Sequence, residues 1–500
     1  MSEALKSRDG MTSLVEGETN LWFSLGALLD GASAAGPDAE LRISGINADS
    51  RAIEAGDAFF ALPGSKTHGN GFAADAVARG AAAVVTDREL DANPGVPVIV
   101  VSDVQAAYAH AAARRFTPQP ACSVAVTGTN GKTSVAAFVR QIWEASGFDA
   151  ASLGTLGIET LHGLKPGSLT TPDALTLHRD LGALKAEGID HVALEASSHG
   201  LEQRRLDGLR FQAVGFTNLT RDHLDYHLSM EAYAEAKLRL FRELSAEGGA
   251  AVINIDDPEA MPFMFAALDR GLTLLTVGSE GAFYEVKEIV NEGFGQRVRG
   301  RMVGEPADFY LPLTGAFQAS NALVALGLAA ATGAPKEVAL RRLETLKGAR
   351  GRLELVAQRD ESAVFIDYAH TPDALKNALE ALRPYAKGKL TVVFGCGGDR
   401  DKGKRPEMGA IAQELADRVI VTDDNPRTED AASIRAEILA AAASAEEIGD
   451  RKRAIDSAIA TMGSRDVVLI AGKGHEDYQI VGTTRHHFSD HEVVAEAIRR

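Results

Sequence analysis

An α/β protein of three domains with mostly parallel sheets is the architecture this sequence predicts. Three observations carry the expectation. Short β-rich apolar runs alternate with Ala- and Leu-rich helical stretches almost throughout. The 500 residues exceed what one hydrophobic core usually holds. Two local breaks then cut the alternation into pieces of ordinary domain size.

The first strands are expected at Asp57–Leu62, Ala82–Thr86 and Val96–Val101. Cys122–Thr127, His191–Leu194 and Ala251–Ile255 follow, then Ala363–Ile366, Leu390–Phe394, Val419–Thr422 and Val467–Ile470. Runs of this kind, separated by helices, suit parallel strands joined by crossover helices. The Ala-rich stretch Leu439–Ala445 reads as helix on propensity. One break lies near Phe116–Ala121, where Thr117-Pro118-Gln119-Pro120 stops a helix before a new strand. The other lies near Gly348–Gly351. Expected domains are therefore 1–120, 121–347 and 348–500.

Composition narrows the class. At 45% hydrophobic and 24% charged, the balance is that of a folded globular chain. A net charge of −17 argues against a nucleic-acid binder, which would carry a basic face. It leaves anionic small substrates open, because helix N-termini and local Arg or Lys hold phosphates in acidic proteins. Cys122 and Cys396 sit in apolar runs, so no disulfide framework is expected and a reducing, cytoplasmic compartment fits. The N-terminus lacks the apolar core of a signal peptide, and no run of 18 apolar residues suggests a membrane span.

The strongest local signal is Thr127-Gly128-Thr129-Asn130-Gly131-Lys132-Thr133-Ser134, between the strand Cys122–Thr127 and a helix expected over Val135–Ser146. Gly128 and Gly131 let the backbone curl so that several N–H groups face one anion. The helix N-terminus adds a favourable dipole. Lys132 supplies a point charge for outer phosphates, and the Thr133 hydroxyl can ligate Mg²⁺. The general phosphate-loop pattern asks for a further Gly where Val126 stands.

Other segments attract attention in order. They are Asp49-Ser50-Arg51, Glu195 to Gly200, Asn218 to Asp225, Ala236-Lys237, Gly351 to Glu354, Asp367 to Pro372, Gly395 to Arg400, Asp424 to Arg427 and Gly472 to Glu476. Together with the loop, this series resembles the Mur ligase family, whose folylpolyglutamate synthase relatives share the loop's form. The resemblance implies the three-domain Mur ligase architecture. An N-terminal domain binds the UDP precursor, and a central P-loop-type domain with a mostly parallel sheet binds ATP. A C-terminal Rossmann-like domain binds the incoming amino acid.

The resemblance also assigns residues. Gly128, Thr129, Asn130, Gly131, Lys132, Thr133, Ser134 and Asn321 would bind ATP. Relatives commonly carry Asn where this chain has Gln318. Glu195 would ligate Mg²⁺, as would Thr133 and Lys237, the last as a carbamate formed with CO₂. That modification needs a neutral amine first. Lys132, Glu195 and Lys237 would be the catalytic set. Ala48, Ser50, Ser65, Lys66, Thr67, Thr170, Thr171, Ser197, Gln203 and Arg205 would contact the UDP-linked precursor. Ordinary turn residues are the alternative reading for Thr170 and Thr171, ahead of Pro172.

Arg400, Asp424, Asn425, Pro426, Arg427, Gly472 and Glu476 would bind meso-diaminopimelate. Diaminopimelate is lysine with a carboxylate at its far end, and Arg427 offers that carboxylate a two-point fork. The Asp-Asn-Pro-Arg segment is also ordinary turn chemistry. The implied activity is ATP-dependent addition of meso-diaminopimelate to UDP-N-acetylmuramoyl-L-Ala-D-Glu through an acyl phosphate, by a cytoplasmic monomer. Lysine-adding and folylpolyglutamate-forming relatives, or a P-loop ATPase switch, are the competing expectations.

Overall fold

Strand and helix boundaries follow the burial pattern that the sequence lays down. The computed structural model describes residues 22–29, 40–64, 67–167 and 169–499. They form two compact units. One unit takes residues 1–119, 172–187 and 200–209, the other residues 120–171, 188–199 and 210–500.

In the first unit, Ile46–Asn47, Ala58–Phe60, Ala83–Thr86 and Val98–Val100 pair in that order as a parallel sheet. The expected strands shorten by one to three residues at their ends. The buried runs Ala58–Phe60 and Ala83–Thr86 supply its centre. The helix Val104–Arg115 starts where Asp103 accepts the N–H of Ala106 at 2.9 Å. It ends with Arg114 and Arg115, whose charges suit the negative end of the helix dipole. Tyr108 on this helix packs on Phe60, with centroids 5.1 Å apart.

The helix Ala174–Ala186 belongs to this unit and carries His178, which is fully buried. Its Nε2–H donates to the Asp207 carbonyl at 2.9 Å, and Nδ1 faces the Gln119 amide at 3.0 Å. Burial lowers the His178 pKa from 6.5 to about 4. The folded chain therefore disfavours the protonated ring, whereas the unfolded chain accepts the proton below 6.5. The stability that His178 contributes is complete above pH 6.5 and is lost as pH falls towards 4. Urea midpoints measured across that window are expected to fall with pH, and more gently in His178→Gln. Equal slopes in the two proteins would count against the buried neutral ring.

The second unit holds two sheets. The larger runs through seven parallel strands in the order Ala150–Gly154, His191–Glu195, Cys122–Thr127, Phe211–Phe216, Ser245–Asn254, Thr273–Gly278 and Tyr284–Glu292. Antiparallel hairpins extend both ends. Helices Lys132–Ala145 and Ala316–Ala331 cover it, and Val135, Phe138, Val139, Ile142, Leu323 and Val324 fill the space between. The smaller sheet has the order Glu354–Arg359, Ser362–Asp367, Val467–Ala471, Leu390–Phe394, Arg418–Val421 and Glu446–Glu447. Only its first strand is antiparallel to its neighbour. Val467–Ala471, late in the chain, inserts between two earlier strands, so the crevice at the strands' carboxyl ends is where such sheets place ligands.

One expected helix is absent. The helix Ala431–Leu439 stops at Leu439, and residues 440–445 are turns and irregular backbone. Alanine propensity is worth only tenths of a kcal/mol per residue, roughly. Here the chain must reverse to bring Glu446–Glu447 to the sheet edge, and Ser444 is held by the Gln413 side chain at 3.1 Å. Among the described residues, no helix is long and apolar enough to cross a membrane.

Candidate active site

The strand Cys122–Thr127 ends at the sheet's carboxyl edge, and the chain must turn sharply to enter the helix that begins at Lys132. Gly128 and Gly131 make the turn with φ of +150° and +88°. A Cβ on Gly128 would lie 1.9 Å from Thr217 Oγ1, and one on Gly131 would lie 2.3 Å from Asn321 Oδ1. The neighbouring strand end pins the loop. Thr129 N–H donates to the Asn218 carbonyl at 2.8 Å, Asn130 N–H to Asn218 Oδ1 at 3.0 Å, and Thr217 Oγ1 to the Asn130 carbonyl at 2.6 Å.

This geometry fixes an expected result. In Gly131→Ala, a left-handed backbone costs about 1–2 kcal/mol before any clash. Asn321, packed behind the loop, must also give way. ATP affinity, measured by calorimetry, is expected to fall by about tenfold or more, since 1.4 kcal/mol is one decade. Unchanged affinity would mean that the loop does not need this curl.

Charge gathers around the loop. Lys132 Nζ donates to the carbonyls of Gly128 and Thr129, both at 2.7 Å. Lys237, 1% exposed on the helix Met230–Arg239, donates to the same Gly128 carbonyl at 2.8 Å. Burial, then the charge of Lys132, hold the Lys237 pKa well below the usual amine range. The Tyr233 ring faces Lys237 Nζ at 4.3 Å, and its hydroxyl lies 3.2 Å from Thr129 Oγ1.

Glu195 ends the adjacent strand His191–Glu195 and is 2% exposed. Its carboxylate accepts from Thr133 Oγ1 at 3.0 Å, from Thr155 N–H at 2.8 Å and from Thr155 Oγ1 at 3.2 Å. Burial raises its pKa, and the charges of Lys132 and Arg352 oppose the rise. Two hard oxygen donors, the Thr133 hydroxyl and the Glu195 carboxylate, thus sit side by side. They fit Mg²⁺, which takes few protein ligands and completes its shell with water and phosphate oxygens. Among the described residues, no group of three His, Cys, Asp or Glu converges as an all-protein cage would require.

A cavity of about 800 Å³ opens over the loop. Thr129 to Ser134, Thr155, Thr170 and Glu195 line one side, and Arg350, Arg352, Tyr368, His475, Glu476 and Arg485 line the other. Burial and the nearby guanidinium groups of Arg352 and Arg350 lower the His475 pKa to about 4, so its ring is neutral at physiological pH.

The remaining sequence-derived positions fall as follows. Thr170 Oγ1 lies 2.9 Å from Thr155 Oγ1 at the cavity. Thr171 Oγ1 donates to the Glu195 carbonyl at 2.8 Å, and Ser197 donates to Thr171 Oγ1 through both N–H (3.1 Å) and Oγ (3.0 Å). Asn321 is buried behind Gly131, donating to Gln318 Oε1 at 3.2 Å, and is not among the cavity's lining residues. Asn425 donates to Glu476 Oε2 at 3.0 Å, placing Asp424-Asn425 directly behind the cavity wall. Pro426 accepts the Glu429 N–H at 3.1 Å. Arg427 has φ of +52° and donates to the Gly398 carbonyl at 2.9 Å. Gly472 N–H donates to the Asp367 carbonyl at 3.1 Å, and Arg400 is exposed.

In the first unit, Ala48 precedes an Asp49-capped turn that contains Ser50, with Asp49 and Arg51 paired at 2.8 Å. Thr67 is exposed, and its carbonyl accepts the Gly64 N–H at 3.2 Å. Arg205 donates twice to Gln203 Oε1, at 3.1 and 2.6 Å. Ser65 and Lys66 lie outside the described residues.

Sequence reasoning gave no role to Thr155, Arg350 or Lys473. Thr155 belongs to no quoted motif, and its only signal was its place just after the strand Ala150–Gly154. Arg352 and Lys473 lay inside quoted motifs with no role attached.

The strand–glycine loop–helix unit with its buried carboxylate defines a nucleotide-handling α/β protein of the phosphate-loop class. Comparison with known proteins is more specific. The sequence matches the Mur ligase family catalytic domain over residues 42–116, the Mur ligase middle domain over 126–329 and the Mur ligase glutamate ligase domain over 351–474. The UDP-N-acetylmuramoyl-L-alanyl-D-glutamate–2,6-diaminopimelate ligase of Mesorhizobium japonicum is 53% identical, over 92% of this chain and 96% of its own length. That of Chelativorans sp. is 52% identical, over 92% of this chain and 95% of its own. A solved ligase of the same description is 34% identical with a TM-score of 0.71, covering 96% of this chain and 99% of its own. This chain belongs to the Mur ligase family.

Proposed function

We propose that this chain uses ATP to join meso-diaminopimelate to the D-Glu of UDP-N-acetylmuramoyl-L-Ala-D-Glu, a step of peptidoglycan synthesis. One observation carries the reading in structural terms. Lys132 on the phosphate loop and Glu476 beside Asp424-Asn425 line the same cavity, so phosphate and amino acid have one meeting place. The identity of about half over nine-tenths of the chain to diaminopimelate ligases supports the choice of amino acid.

The side chains suit two successive steps. The substrate γ-carboxylate attacks the terminal phosphorus of ATP, the P–O bond to ADP breaks, and an acyl phosphate forms. The amine then attacks the acyl carbon, loses a proton, and phosphate departs. Both steps load negative charge onto phosphoryl oxygens. Lys132 and the N–H groups of residues 131–134 at the helix start face that charge in a poorly screened site. Bound Mg²⁺, held by Thr133, Glu195 and Lys237 as its carbamate, would neutralise phosphate charge there. Burial, then the charge of Lys132, favours the neutral Lys237 amine that carbamate formation needs. Ala48, Ser50, Ser65, Lys66 and Thr67 hold the UDP end, and Thr170, Thr171, Ser197, Gln203 and Arg205 the muramoyl-dipeptide. The enzyme works as a cytoplasmic monomer without nucleic acid or membrane.

The test is a ligation assay with UDP-N-acetylmuramoyl-L-Ala-D-Glu and ATP, offering diaminopimelate and lysine in parallel. Product from diaminopimelate, with little from lysine, is expected. Equal use of both would overturn the amino-acid assignment. ATP hydrolysis independent of both acceptors would favour a switch ATPase instead.

A further inference from the structure

A buried ammonium ties together the carboxyl ends of two strands in the smaller sheet. Lys473 follows the strand Val467–Ala471 and has no exposed surface. Its Nζ lies 3.4 Å from Asp424 Oδ1, 3.2 Å from Asn425 Oδ1 and 3.4 Å from Glu476 Oε2. Asn425 and Tyr478 complete the circuit. Asn425 donates to Glu476 Oε2 at 3.0 Å and Tyr478 hydroxyl to Glu476 Oε1 at 3.2 Å. Beneath them, Arg451 is paired with Asp490 at 2.7 Å, both fully buried, and donates to the Ala471 carbonyl at 3.0 Å. The approach of this segment to the cavity is therefore fixed from below.

The charges do not cancel. Asp424, Glu476 and Lys473 together carry one net negative charge, while Arg451 and Asp490 neutralise each other. Without Lys473, Asp424 and Glu476 would lose the cation that links them, and Glu476 would keep only the Asn425 amide and the Tyr478 hydroxyl. With it, one ammonium bridges two carboxylates, and the second formal negative charge favours one further cation. Glu476 is the member of the trio that lines the cavity.

We infer that Lys473 is a positioning residue for amino-acid selection, orienting Glu476 to receive the ammonium at the far end of the incoming amino acid. The inference rests on the proposed role of Glu476. A support of this kind acts by geometry, and a misplacement of about 1 Å costs roughly 10²-fold.

The experiment compares full-length Lys473→Met, Lys473→Arg, Glu476→Gln and the double variant Lys473→Met/Glu476→Gln in steady-state ligation with diaminopimelate. Lys473→Met is expected to raise KM for diaminopimelate by about 10²-fold. KM for ATP and kcat should stay within about twofold. Lys473→Arg should recover part of the loss, because it restores the cation. In the Glu476→Gln background the effect of Lys473→Met should largely vanish, since residues acting as a unit are not additive. Parallel rises in KM for ATP and diaminopimelate, or additive effects, would assign Lys473 to fold support and overturn the inference. If Glu476→Gln raises KM but Lys473→Met does not, the inference alone fails. If Glu476→Gln changes nothing, the reading of Glu476 fails and takes the inference with it. Lys473→Gln, which keeps a donor, serves the same comparison should the Met variant not fold.

Discussion

Lys132→Met is expected to lower kcat by roughly 10³-fold, about 4 kcal/mol of transition-state stabilisation. Its Nζ already lies against the carbonyls of Gly128 and Thr129, so its reach is set by the loop itself. Burial pushes its pKa down, and the charge of Glu195 pushes it back up. Lys132 and Glu195 therefore sustain each other's ionised forms, the lysine countering the rise that burial imposes on Glu195. Removing the lysine takes away the phosphoryl counter-charge and also raises the proton affinity of the carboxylate beside it. Because the interaction strengthens as charge shifts onto phosphoryl oxygens, the loss belongs in kcat and equally in kcat/KM. Steady-state kinetics with all three substrates checks this. A fall below tenfold would show that the loop N–H groups suffice without the lysine.

What could be read from the sequence was what is local. Gly128, Gly131 and Lys132 announce the loop because its φ values and its helix start are set within a few residues. Glu195 was placed at a strand's carboxyl end by its apolar run, and its role as a ligand came from the family resemblance. The strands Cys122–Thr127 and Leu390–Phe394 fall where their apolar runs predict. The helix expected at Leu439–Ala445 fails because a weak local preference yields to the demand of sheet pairing. Arg350, Arg352 and Tyr368 reach the cavity only through packing of the second sheet, which no spacing near the loop encodes. Asn321 and Asn425 were read as ligand contacts from their motifs. In the fold Asn321 lies against Gly131 and Asn425 donates to Glu476, neighbours visible only once distant segments meet. The family resemblance supplied what spacing could not, namely which strand ends belong to one chemistry.

Arg427→Ala is expected to raise KM for diaminopimelate by roughly 10²- to 10³-fold while ATP affinity holds. Arg427 sits at φ of +52°, a conformation a side chain rarely adopts without surrounding constraint. The constraint is present, because its N–H donates to the Ile480 carbonyl at 3.1 Å and its carbonyl accepts the Gly482 N–H at 2.7 Å. The residue is thereby clamped to the hairpin Tyr478–Val481 and Thr484–His487. Its guanidinium spends one nitrogen on the Gly398 carbonyl at 2.9 Å, which leaves further donors of a rigid fork. On the proposed reading, a ligand carboxylate held by that fork separates diaminopimelate from lysine, whose ammonium the same cation repels. Sites that pair a buried charge reject analogues lacking the partner by up to about 10⁴-fold. Alanine should erase most of that discrimination, and the ratio of kcat/KM for diaminopimelate to that for lysine should fall towards one. Arg427→Lys keeps the charge but loses the two-point grip, so it should fall between wild type and alanine. Competition assays with both amino acids read the ratio directly. If ATP affinity collapsed while the ratio held, Arg427 would belong to nucleotide binding, and the division of labour between the two sheets would be reversed.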